Sequence, residues 1–297
     1  MLFYPYVSGN LKNTQSKNMS KQDDLIGKHP TNPDTFGIWL NSNDYPDTVT
    51  KCHRELTEQS TYNRKDLIEQ LSNDIIKYHY PDERVNLLIK NYAKLGFTDY
   101  SDYLKKALKT PTNLITKKGN LTEVILCEYV CSSAQKNLTH IYRFRYNPNV
   151  DQSMKGDDML MIDYLEDTDE LKVFLGEAKF RATSTKQSVD KVSEALTKDK
   201  QPLSYTLLTE ILLKNPETSE LGERIDDFIN DAVRNNDNLT YVGLLLSDRT
   251  TSTKVEEHLN NDNPNLVFLS LGIENPETLI VEAFEIAQQK LLTPDNL

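Results

Sequence analysis

Lys155-Gly156-Asp157-Asp158-Met159-Leu160-Met161-Ile162-Asp163-Tyr164, followed after a short acidic turn by Leu171-Lys172-Val173-Phe174-Leu175-Gly176-Glu177-Ala178-Lys179-Phe180, is the stretch whose reading decides the fold. Residues 159–164 and 171–175 are apolar and strand-like. Residues 165–170 between them are polar and turn-forming, so the two runs predict a β-hairpin. Side chains alternate along a strand with period two, which places Glu177 and Lys179 on one face of the second strand. Folding the hairpin carries the acidic pair Asp157 and Asp158, at the start of the first strand, toward the far end of the second. Asp158, Glu177 and Lys179 then converge, and two carboxylates beside one ammonium suit a bound Mg²⁺ and a held water. The plainer reading of Glu177 and Lys179 is a solvated ion pair contributing at most about 1 kcal/mol. Against it, both charges end an otherwise apolar run, where an unpaired buried charge is costly.

Upstream, Gly119-Asn120-Leu121-Thr122-Glu123-Val124-Ile125-Leu126-Cys127 opens a helix with Asn120 as the expected N-cap. Glu123 shares a helix face with Leu126, Cys127 and Val130, turned toward the core or toward the site. Glutamate three residues after an N-cap is also the capping-box position, so both roles stand open for Glu123. Residues 140–146 are expected as a strand before the hairpin, carrying Arg143 and Arg145. Downstream, helices are expected at 185–196, 203–213, 221–233 and 276–292. The apolar runs 239–246 and 265–271 read as strands buried on both faces. Alternation of helix and strand around a hairpin gives an α/β class with a mixed sheet and flanking helices.

The N-terminal part, 1–110, is expected to be mainly helical, with a loose polar arm over 7–24, a short strand at 36–40 and a turn-rich 41–47. Helices are predicted at 64–78, from Pro81-Asp82-Glu83 to Gly96, and at 99–108. Residues 111–119 read as a linker into a core spanning 111–297. Tyr78, Tyr80, Tyr92, Tyr100 and Tyr103 suit packing better than a base-stacking surface. Cys127 and Cys131, four apart on one helix, read as small core residues rather than ligands, and three cysteines in 297 residues build no disulfide framework.

Net charge is −11, but it is unevenly spread. Only 6 of the 34 basic residues and 17 of the 45 acidic ones follow residue 200, leaving 28 of each before it. The acidity therefore belongs to the C-terminal third. Around the proposed site the chain is locally basic, with Arg143, Arg145, Lys155, Arg181, Lys186 and Lys191. A second basic stretch holds Lys105, Lys106, Lys109, Lys117 and Lys118, and both are candidate phosphate contacts. No apolar run reaches the roughly 18 residues needed to span a membrane, and the first residues lack the pattern of a secretion signal. A cytoplasmic protein is expected.

An acid at a strand start, a hairpin and then Glu177-Ala178-Lys179 resemble the PD-(D/E)xK nuclease superfamily. The helix with Glu123, the Lys155-Gly156-Asp157-Asp158 run, Gly176-Glu177-Ala178-Lys179-Phe180 and the strand ending Leu245-Leu246-Ser247-Asp248 are similar to the HamA family, nuclease subunits of Hachiman antiphage defence, over about residues 110–280. The resemblance implies a PD-(D/E)xK-type sheet and a metal-dependent DNA nuclease working beside a separate helicase subunit. It implies Mg²⁺ or Mn²⁺ held by Asp158 and Glu177 with Glu123, and Lys179 as the catalytic cation. Many members carry one acid after the glycine where this chain has two. Asp158 is preferred to Asp157, since only one of two neighbours can share a face with the site. The sequence has no Gly-x-x-x-x-Gly-Lys-Ser/Thr loop, so it carries no such nucleotide motor itself. The alternative is a catalytically silent nuclease-like module that binds and regulates its partner.

Overall fold

Strand pairing begins earlier in the chain than expected, within the stretch read as mainly helical. The computed structural model describes residues 19–94, 107–136, 138–165, 170–232 and 238–292. Among these, β1 (Leu40–Asp44), β2 (His53–Glu58), β3 (Thr139–His140), β4 (Met159–Leu165), β5 (Glu170–Phe180), β6 (Leu239–Ser247) and β7 (Leu266–Gly272) form a seven-stranded sheet. Its order is β1-β2-β7-β6-β5-β4-β3. The four central strands β2, β7, β6 and β5 run parallel, and antiparallel hairpins close both ends. The class is the mixed α/β sheet with flanking helices that the sequence predicts. The sheet takes strands from both sides of residue 110.

Period-two alternation splits the sheet's side chains between two cores. Val242, Leu244 and Leu246 of β6 face one, with Val267, Leu269 and Leu271 of β7. That face is covered by α1 (Lys21–Ile26), α2 (Thr35–Trp39), α3 (Arg64–His79), α4 (Asp82–Lys94), α5 (Leu114–Ala134) and, from the chain's far end, α10 (Pro276–Leu292). Tyr241, Leu245 and Phe268 face the other core, under α6 (Lys186–Ala195), α7 (Tyr205–Leu213), α8 (Ser219–Ala232) and α9 (Thr251–His258). Every residue of β6 and β7 is buried, as their unbroken apolar runs require.

Four local expectations give way. Residues 35–39 form a helical turn rather than a strand. Asp34 caps it, accepting the Phe36 N–H at 2.8 Å, and the Gln59 side chain donates to the carbonyls of Gly37 and Leu40. The strand begins at Leu40 and runs through Asn41, Ser42 and Asn43; such polar residues are tolerated because β1 is a sheet edge. Lys21–Ile26, overlapping the end of the expected arm, is a helix tied down by buried Arg54. The Arg54 guanidinium meets Asp23 at 2.7 Å and Asp44 at 2.6 Å, and donates to the Gly27 carbonyl at 2.9 Å. Residues 7–18 of that arm and most of the helix expected at 99–108 lie outside the described residues.

Third, 114–119 is helix, not linker. Asn113 is the cap of α5, accepting the Ile115 N–H, and the Asp151 carboxylate holds the backbone N–H groups of Thr112 and Asn113. Asn120 is thus an interior residue, and the capping-box role for Glu123 falls with it. Fourth, only Thr139–His140 pairs as strand, and Arg143–Tyr146 is a 3₁₀ turn. Of the tyrosines that lie among the described side chains, Tyr78 is buried against Tyr142, a packing role. Cys127 and Cys131 are free thiols, buried and half-buried.

Buried Asn120 donates to His79 Nε2 at 3.1 Å, and His79 Nδ1 bonds the Ile75 carbonyl at 2.7 Å. One acceptor and one donor nitrogen describe a neutral ring, which links α3 to α5. Burial lowers the His79 pKa from its ordinary 6.5 to about 4. A histidine depressed in the folded state contributes stability present above 6.5 and lost as pH falls toward 4. We expect equilibrium unfolding to lose on the order of 3 kcal/mol across that window through this residue. The pH slope should flatten in His79→Gln, and an unchanged slope in that variant would refute the assignment.

Candidate active site

The hairpin strands are unequal in length. β4 pairs with β5 as far as Met159–Gly176, whereas β5 continues to Phe180 along β6. Gly176 is required there: a Cβ would stand 2.9 Å from Leu126 of α5 and from Met159, so its absence lets the helix lie close on the strand. Beyond Met159 the ladder is continued by a side chain. Asp158 Oδ2 accepts the Ala178 N–H at 2.9 Å. The notch so formed gathers the charged groups.

Asp158 Oδ1 accepts from Arg143 Nη2 at 3.0 Å. The same guanidinium reaches Glu123 of α5, with Nε 3.0 Å from Oε2 and Nη2 bonded to that oxygen as well. Lys179 forms a close ion pair with Glu177, and its Nζ lies 3.9 Å from Asp158 Oδ2. Asp158, Glu177 and Lys179, predicted to meet, are joined in this arrangement, and Glu123 enters it through Arg143. The side chains of Glu123, Asp158 and Arg143 are only 12–13% exposed, and Lys179 is 33% exposed at the mouth. Outside lies a cleft of about 580 Å³, whose walls include Ile115, Lys118, Phe180 and Arg181.

The adjacent acid does something else. Asp157 is 3% exposed and its Oδ2 accepts the backbone N–H groups of Leu203 and Ser204 at 2.6 and 2.8 Å. Ser204 Oγ in turn accepts the Asp157 N–H at 3.0 Å. Gly156 makes this clasp possible: its φ is +126°, and a Cβ there would stand 2.7 Å from Ser204 Oγ. One of the two acids therefore fastens the loop before α7, and the other faces the notch.

Crowding sets the electrostatics. Burial first, and the Asp158 carboxylate second, push the Glu123 carboxyl up, against the pull of Arg143. The same two causes raise Glu177, against Lys179. Burial alone would lower Lys179, but its bond to Glu177 and the charge of Asp158 raise it. Three acids confined this way favour a nearby cation. Among the described residues, no three Asp, Glu, His or Cys side chains stand close enough to share one ion. Between Glu123 and Asp158 stands the guanidinium of Arg143.

The bridging role of Arg143 was not read from sequence, which placed it on a strand as a phosphate contact. The bridge depends on the 3₁₀ turn, and residue spacing carries no signal for it. Three other expected phosphate contacts are engaged within the fold. Arg145 donates to the Lys77 carbonyl and stacks on Tyr142, Lys186 pairs with Asp190, and Lys118 pairs with Glu277. Lys105 and Lys106 lie outside the described residues. A Ser–His–Glu relay exists elsewhere, with His53 2.7 Å from Ser270 Oγ and 2.5 Å from Glu256. Ser270 is 0% exposed inside β7, beyond reach of any substrate, so that relay links β2, β7 and α9 structurally.

The sequence model of the HamA family matches residues 33–287. The chain belongs to the HamA family. A relative from Bacillus cereus, the Hachiman protein HamA, is 35% identical over 276 residues, covering 92% of this chain and 98% of the relative. The family match starts ahead of β1 and ends within α10, so it takes in the N-terminal strands as well as the 110–280 segment in which the sequence motifs lie. No helix among the described residues is long and apolar enough to cross a membrane.

Asp157 and Asp158 should separate in experiment. Asp157→Ala leaves two backbone N–H groups without their charged acceptor, and about 2 kcal/mol or more of stability is expected to go with it. Urea denaturation reads this directly. An unchanged midpoint would show that the clasp carries no weight.

Proposed function

We propose that this protein is a metal-dependent DNA endonuclease, the effector subunit of a Hachiman antiphage defence complex that includes a separate helicase. The observation that carries this reading is the meeting of Glu123, Asp158, Glu177 and Lys179 at one notch beside an open cleft. Membership of the HamA family and the name of the Bacillus cereus relative support the defence role. The absence of a nucleotide-binding loop from the sequence supports a separate motor.

In donor chemistry the residues fit Mg²⁺ or Mn²⁺, although with Arg143 in place no three acids among the described residues stand close enough to share one ion. All three acids offer hard oxygen donors, and a cationic group already stands between two of them. Asp158 and Glu177 would hold the ion, with Glu123 as a further carboxylate and the Ala178 carbonyl as an additional oxygen. When bound, such an ion polarises a phosphodiester and makes a bound water a better nucleophile. Lys179, ion-paired with Glu177 and one-third exposed to the cleft, orients the attacking water and steadies charge that develops on the phosphate. Asp158, fixed by the Ala178 N–H, holds its geometry without help from solvent. Arg181 on the cleft wall suits the DNA backbone beside the reacting phosphate.

One observation favours a silent docking module instead: each of the three carboxylates already pairs with a cation of the chain, Glu123 and Asp158 sharing Arg143 and Glu177 taking Lys179. Metal titration separates the readings, because the nuclease must bind Mg²⁺ or Mn²⁺ and lose it in Glu177→Ala. In the presence of the partner subunit, ATP and Mg²⁺, Lys179→Ala should degrade plasmid DNA at least about a hundredfold more slowly than wild type. It should keep its thermal stability within a few degrees. Cutting at the wild-type rate by this variant would end the nuclease assignment.

A further inference from the structure

Arg143 is held in an unusual way. Its hydrogen bonds among the described residues go to Glu123 and Asp158. Its third guanidinium nitrogen, Nη1, is buried with no hydrogen-bond partner. The two acids come from separate elements, α5 and the residue before β4, and Arg143 is the group that ties them together. The other cation of the site, Lys179, sits farther out and pairs chiefly with Glu177.

We propose that Arg143 is the protein's own stand-in for the divalent cation, and that metal binding requires it to leave Glu123 and Asp158. This rests on the reading of Glu123, Asp158 and Glu177 as ligands. The three carboxylates now face two cations of the chain. A dication added while Arg143 stays would turn the pocket net positive and set a guanidinium against it, which a low-dielectric notch penalises heavily. The way out is also defined. Arg143 lines both a narrow pocket of about 30 Å³ and the cleft of about 580 Å³. The narrow pocket has free space for a water or two but not for a guanidinium, so the displaced side chain moves into the cleft. Two consequences follow. The metal-free protein keeps its acids in register without an ion, and metal affinity is lower than three carboxylates would otherwise give.

The test uses the full chain, wild type and Arg143→Gln, at one pH and ionic strength. Mn²⁺ binding is measured by calorimetry and thermal unfolding with and without Mn²⁺. Arg143→Gln should bind Mn²⁺ about tenfold or more tightly than wild type. It should unfold at a lower temperature without the ion and regain that loss when Mn²⁺ is added, gaining more than wild type gains. Equal or weaker Mn²⁺ binding by Arg143→Gln, with a stability loss that the ion does not restore, would make Arg143 a structural bridge only and overturn displacement while leaving the metal site standing. Failure of both proteins to bind Mn²⁺ would overturn displacement and the metal-site reading together. Should Arg143→Gln not fold, Arg143→Lys serves, since one ammonium on a shorter stem cannot span both acids. Its Mn²⁺ affinity should exceed that of wild type, and equality would again refute displacement.

Discussion

Backbone pairing between β4 and β5 ends at Met159 and Gly176, while β5 and β6 continue together to Phe180 and Leu246, and this stagger determines where every charged group of the site can stand. A ladder that ran on would have used the Ala178 N–H for strand pairing. It would also have filled the space that now admits Asp158 and Arg143. Because it stops, Ala178 takes a carboxylate instead, and Glu177 and Lys179 flank that bond. Gly176 contributes at the same point by letting α5, with its Glu123, approach the strand. One interruption in one ladder thus draws side chains from a helix, a 3₁₀ turn and two strands to a single place.

Such a cluster is costly to assemble. Buried carboxylates lose hydration worth several kcal/mol each, and removing one member of a buried pair commonly costs 3–5 kcal/mol or so. The fold offsets this by alternation of charge: Glu123, Arg143, Asp158, Lys179 and Glu177 form a chain in which each acid touches a base. Strength from such a chain is modest, but its directionality is high, since the guanidinium offers donors in a fixed plane. Acids held in register by the chain's own cations are preorganised for a dication that takes the place of the guanidinium, and this is the physical basis of the proposed metal chemistry.

What the sequence revealed follows from what a strand encodes. Period-two alternation and an apolar hairpin suffice to align Asp158 with Glu177 and Lys179, because those positions depend on local geometry. The central strands β6 and β7 were legible for the same reason, their apolar runs being uninterrupted. Arg143 was not, because its position comes from a turn at Arg143–Tyr146 whose aromatic residues mimic a strand pattern. The N-cap of α5 was misplaced by seven residues, at Asn120 rather than Asn113, since Gly119 and Pro111 resemble a linker when Asp151 is not seen holding the backbone at Thr112 and Asn113. β1 was hidden by its composition: Asn41, Ser42 and Asn43 are turn formers, and only pairing with β2 makes them a strand. Alternation was enough to prefer Asp158, but the role of Asp157 depends on Ser204, 47 positions away, which no reading of spacing could supply.

The distribution of charge bears on how the proposed nuclease would meet its substrate. Of 45 acidic residues 17 lie after residue 200, against 6 of 34 basic ones, so the C-terminal third opposes a polyanion. Near the notch, several basic side chains are tied up internally, Lys118 with Glu277 and Arg143 with two acids. Those two side chains are spent on acids, and affinity for a duplex rises steeply with the number of phosphates neutralised. A protein so arranged gains little by searching DNA alone. On the proposed reading, the helicase subunit supplies the binding energy and presents a strand, while the notch supplies only the chemistry.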